Sequence, residues 1–126
     1  MTTYRASCHC GKVRFSFESE PITKGARCNC SICVRKGAVM SDRYYAPESF
    51  LAMEGEDSLG VYQFGDRSVG HCFCTTCGIS PFSSVTSIPD GYTGPVKTGD
   101  RRVNLGCVHD LDVFGLEIRL IDGRSL

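Results

Sequence analysis

Several things are missing from this 126-residue sequence, and each absence excludes something. It has no net charge, because 14 lysines and arginines balance 14 aspartates and glutamates. That balance argues against the basic footprint that nucleic acid or an anionic membrane surface would attract. No apolar stretch approaches the ~18 residues of a membrane helix. No long 3.6-residue hydrophobic period runs through it, so long amphipathic helices are not expected. Low-complexity segments and linkers are lacking too, and residues 1–126 are expected to form one domain. The opening MTTYRASCHC holds no apolar run behind a basic start. No signal peptide is therefore expected, and a cytoplasmic location is.

What the sequence does hold is cysteine, nine of them. A secreted mini-protein with that density would be read as a disulfide framework. Here the count is odd and no export signal is visible, so the thiols are expected to be reduced and to hold metal. The cysteines are also grouped. CHC stands at 8–10, CNCSIC at 28–33 and CFCTTC at 72–77, the last two sharing a C-x-C-x-x-C spacing.

The rest of the pattern predicts β-structure. Val13, Phe15 and Phe17 alternate with Arg14, Ser16 and Glu18. Leu116, Ile118 and Leu120 alternate with Glu117, Arg119 and Ile121 ahead of the turn pair Asp122-Gly123. Shorter strands are expected over 50–53, 60–64, 69–73, 82–86 and 102–107, with single helical turns over 31–36 and 110–114. Many short strands between Gly- and Pro-containing turns predict a mainly β fold of small antiparallel sheets.

Geometry decides how the thiols pair. Two sulfurs on one tetrahedral zinc lie ~3.8 Å apart, given Zn–S near 2.3 Å. Alternate residues on a straight strand are ~6.6 Å apart. A C-x-C pair therefore serves one metal where the chain bends. Gly11 follows Cys10 and Gly78 follows Cys77, and glycine frees the φ angle that a tight knuckle needs. Cys8, Cys10, Cys74 and Cys77 are thus expected to close one four-thiolate structural site. Cys28, Cys30 and Cys33 are then left as a three-ligand set with a free fourth position, the pattern of a catalytic zinc.

Other readings remain beside this one. Cys72 either completes the second site or is a buried thiol, and Cys107 in an apolar strand is expected in the core. An iron–sulfur cluster on the triplets is disfavoured by the C-x-C spacing. Four thiolates on a divalent ion leave two negative charges and three leave one. The flanking Lys12, Arg27, Arg35 and Lys36 are placed to offset them and to receive an acidic substrate. His9 is expected to face away from metal, whereas His71 and His109 are the remaining histidines that could touch substrate.

Taken in order, C-x-C-G, C-x-C-x-x-C, GEDSLGVYQF at 55–64, FCTTCG at 73–78 and VNLGCVHDLD at 103–112 resemble the glutathione-dependent formaldehyde-activating enzyme (GFA) family. That family is also called the centromere protein V family. The resemblance runs from Ala6 to Asp112. It implies an Mss4-like fold, two zinc ions per chain, and the same two ligand sets: Cys8, Cys10, Cys74 and Cys77 for the structural ion, Cys28, Cys30 and Cys33 for the catalytic one. It also implies a carbon–sulfur lyase that joins a small thiol, glutathione, to formaldehyde as S-hydroxymethylglutathione. The alternative is a non-catalytic zinc module that binds a partner or a small thiol.

Overall fold

The computed structural model describes residues 1–125. Ten short strands build three sheets: β1 (Thr2–Ser7), β2 (Arg14–Ser19), β3 (Lys24–Cys28), β4 (Met40–Ser41), β5 (Phe50–Glu54), β6 (Leu59–Tyr62), β7 (Val69–Cys74), β8 (Phe82–Val85), β9 (Arg101–Val103) and β10 (Glu117–Ile121). The one α-helix among the described residues, α1, covers Ser31–Lys36, the turn expected from sequence. The sheets are ordered β1-β2-β5, β10-β3-β4 and β6-β7-β8-β9. Every pairing between these strands is antiparallel except β10 with β3, which is parallel. The expected mainly β fold of small sheets is the one observed.

The period-two reading of β2 holds. Phe15 and Phe17 are buried while Arg14 is exposed and Ser16 and Glu18 are half-buried. Their rings meet those of other sheets and loops. Phe15 stands edge-on to Phe82 of β8 at 5.5 Å, and Phe17 lies 5.2 Å from Tyr45. Such pairs add about 0.5–1.5 kcal/mol each beyond the area they bury. The Arg101 guanidinium caps the cluster, 4.6 Å from the centre of Phe50 and 5.1 Å from that of Phe82.

Three expectations shift. The strand expected over 102–107 stops at Val103, because Leu105–Cys107 turn into a 3-10 helix capped by the Asn104 side chain. The helical turn expected over 110–114 is a 3-10 turn at Val113–Gly115. In β10 the alternation slips: Leu116 and Ile118 are half-buried, but Leu120 is 79% exposed and Ile121 turns inward instead. Among the described residues no helix is long and apolar enough to cross a membrane.

Candidate metal centres

The first thiol group is assembled from two bends. Cys8 and Cys10 sit in the connection between β1 and β2, where Gly11 takes φ +81° and its N–H donates to the Cys8 carbonyl at 3.2 Å. Cys74 ends β7, and Gly78, at φ +80°, donates to the Cys74 carbonyl at 2.8 Å. These are the left-handed positions for which the trailing glycines were expected. The four sulfurs lie within 4.8 Å of one another. Cys8 Sγ is 3.7 Å from Cys10 Sγ, and Cys10 Sγ is 3.6 Å from Cys74 Sγ. Those separations are far too long for a disulfide and match the edge of a zinc–thiolate tetrahedron.

Backbone amides serve this group as well. Val13 N–H donates to Cys8 Sγ and Thr76 N–H to Cys74 Sγ, both at 3.4 Å. The N–H groups of Ile79 and then of Cys10 hold the Cys77 thiol down to about 6, because a donor aimed at sulfur favours the thiolate. Cys8, Cys74 and Val13 form a small buried cluster of their own, with Cys77, Met53 and Leu59 packed against it.

The second group lies where β3 runs into α1. Cys28 ends β3, Cys30 is the residue before the helix, and Cys33 is in its first turn. Their sulfurs also fall within 4.8 Å of one another, and all three are half-buried. The helix leaves at this point because the Cys30 carbonyl accepts from Val34 N–H at 3.0 Å, and it stops at Gly37, whose φ is +64°. Burial, followed by the neighbouring Cys30 and Cys28 sulfurs, pushes the Cys33 thiol up to about 12. Cys33 therefore resists ionising, and a thiophilic cation relieves that resistance. Both donor sets thus fit a metal such as zinc.

A segment far along the chain completes this group. β10 pairs in parallel with β3, placing Ile121 beside Cys28. Asn29 then bonds the segment that follows: its amide donates to Asp122 Oδ1 at 2.8 Å and its oxygen accepts from Arg124 N–H at 2.9 Å. Gly123 comes so close that a Cβ there would collide with Cys28 Sγ and press on Cys30. In the sequence Asp122-Gly123 signals only a turn. Nothing local in the sequence marks Gly123 as a cover for cysteines more than 90 positions earlier.

A cavity of about 390 Å³ opens beside the second group. Its lining includes Cys28, Cys30 and Cys33 together with Lys36, His71 and Arg102. Phe64, Tyr44, Ile32 and Ile121 supply apolar wall, and none of Cys8, Cys10, Cys74 and Cys77 reaches it. Of the cations expected near the thiols, only Lys36 lines this cavity; Arg27 is exposed elsewhere, and Arg35 is turned back onto the Ser31 carbonyl at 2.9 Å. Arg102, which sequence reasoning missed, takes part instead, its guanidinium 5.1 Å from the centre of Tyr44. His9 is exposed, and His109 bonds Ser7 Oγ at 2.8 Å outside this cavity. His71 alone of the histidines lines it. Cys72 and Cys107 belong to the aromatic core and to neither thiol group.

Comparison with known proteins places the family and the fold. The profile of the family described as glutathione-dependent formaldehyde-activating enzyme matches residues 3–112. A crystal structure of a Rhodobacter sphaeroides protein superposes with a TM-score of 0.72 at 27% identity, covering 91% of this chain and 99% of that one.

Proposed function

Since the chain belongs to the glutathione-dependent formaldehyde-activating enzyme family, we propose that it binds two zinc ions and uses one of them to act on a small thiol. Cys8, Cys10, Cys74 and Cys77 would hold a closed structural ion. Cys28, Cys30 and Cys33 would hold the other and leave a position for substrate. The reaction would be that of a carbon–sulfur lyase, forming or cleaving a hydroxymethyl adduct of glutathione or a similar thiol.

The observation that carries this reading is the single cavity contact of the three-thiol group, which the four-thiol group does not share. An ion held by Cys28, Cys30 and Cys33 would lower the pKa of a thiol bound beside it and fix that thiol's sulfur. The chain itself supplies the rest. Apolar walls from Phe64, Ile32 and Ile121 displace water around the reacting carbon, which strengthens every charge interaction inside. Arg102 offers a fixed planar donor to a carboxylate, and glutathione carries carboxylates. Cobalt in place of zinc tests the reading, because an added thiolate changes its absorption. Glutathione should perturb the spectrum of the wild type but not that of Cys30→Ser. No response to any small thiol would leave a zinc module without catalysis.

A further inference from the structure

His71 and Lys36 form a pair that the thiol chemistry alone does not require. Lys36 Nζ lies 3.3 Å from His71 Nδ1. His71 comes from β7 and Lys36 from the last turn of α1, one turn beyond Cys33, and both line the cavity beside the three thiols. The Phe64 ring stacks on the imidazole at 6.0 Å with planes 20° apart, which fixes the plane of the ring. An ammonium offers donors and no acceptor. With Lys36 charged, Nδ1 accepts from it and the ring proton belongs on Nε2. Among the described residues no group bonds Nε2, and it is not a sealed, unpartnered polar atom. Nε2 then carries an N–H that no described residue accepts.

We propose that His71 gives its Nε2 proton to the oxygen of a small aldehyde while Lys36 gives one to Nδ1. This rests on the thiol-binding reading of the site. A thiolate sulfur pair forms the new C–S bond, the C=O π pair moves to oxygen, and that oxygen takes the Nε2 proton. Nδ1 takes the Lys36 proton, so the amine ends neutral. Cleavage of the adduct reverses each transfer. The other charged groups around the cavity are Arg102 of β9, Asp66 of the β6–β7 connection and the three cysteines. Burial, before the nearby sulfurs oppose it, lowers the hold of Lys36 on its proton, which suits a donor that must give it up.

Three measurements test this. NMR of the ring nitrogens should find His71 as the Nε2–H tautomer, and an Nδ1–H tautomer overturns the proposal. In zinc-loaded protein with glutathione and formaldehyde, exchange between free thiol and hydroxymethyl adduct should exceed the spontaneous rate. His71→Gln keeps an amide donor but has no proton to transfer, and should slow that exchange by about 10²- to 10⁴-fold. The wild-type rate should fall at alkaline pH as Lys36 is deprotonated, and Lys36→Met should lack that limb. Cobalt spectra separate the two levels of inference. If glutathione leaves the wild-type spectrum unchanged, the thiol-site reading fails and takes the role of His71 with it. If it perturbs both wild type and His71→Gln while their accelerated exchange rates agree, only the role of His71 is overturned; if the wild type adds nothing to the spontaneous rate, the lyase reaction falls with it and thiol binding alone stands.

Discussion

The two thiol groups use the same donor atom and sit in opposite surroundings. The four-thiol group ties the β1–β2 bend to the end of β7, and its core members Cys8 and Cys74 are buried with Val13. The three-thiol group follows one strand end into one helix turn, is half-buried throughout, and opens on a cavity with Lys36, His71 and Arg102. The donor atom therefore does not set the role. A closed group spanning distant segments puts metal affinity into folding, whereas an open one leaves it for a ligand.

The widest gap should appear on removing one thiol from each group. Cys77→Ser should lose binding energy that is on the order of 10 kcal/mol of apparent folding free energy and should unfold or aggregate. Cys30→Ser should remain folded and lose one metal. Thermal melts with elemental analysis check this, and equal collapse of both variants would make the second group structural too. Stepwise chelation of the wild type should likewise remove one zinc easily and one with difficulty. A smaller effect is expected from Gly123→Ala, which leaves every thiol in place but pushes a methyl against Cys28 Sγ. It should weaken metal at the three-thiol group by about 10- to 100-fold, as loss of other supporting contacts does, and competition with a coloured chelator measures it.

On the other side of the comparison, Gly78→Ala meets no neighbouring atom. Its cost is the φ of +80° alone, about 1–2 kcal/mol, and it should lower the melting temperature without altering metal content. The smallest effect is a pH dependence. Burial, then Lys36, depresses the pKa of His71 below its ordinary value. The unfolded chain therefore binds this proton more readily, and the stability due to neutral His71 is present above about 6.5 and lost as pH falls through the folded value. The melting difference between wild type and His71→Gln should accordingly narrow on acidification from pH 7.5 to 5.5.

How much of this was legible in the sequence depends on distance along the chain. The knuckles were readable because C-x-C-G and C-x-x-C-G carry their own bends. α1 and β5 were readable from short local patterns, and β2 from a strict alternation. β3 was not: Lys24–Cys28 has no alternation, and Gly25 lacks a side chain where Val39 and Leu105 come close. Its parallel partner β10 lies some 90 residues on, and that pairing turns Leu120 outward and Ile121 toward the cavity. Arg102 and Phe64 reach the site from separate strands and connections, with nothing beside them in sequence to mark it. The thiols announce the chemistry, but the cavity beside them is a product of tertiary contacts.

The parallel pairing of β3 with β10 also sets an order of events during biosynthesis. The cysteines of the four-thiol group have all been made once a ribosome has passed Cys77. The three cysteines at 28–33 are made earlier, yet the strand and the Gly123 turn that cover them are residues 117–123. Synthesis proceeds from the N-terminus at about 5–20 residues per second. All four thiols of the first group are therefore made before the segment that shapes the triplet, and zinc offered to a nascent chain is expected to fill the four-thiol group first.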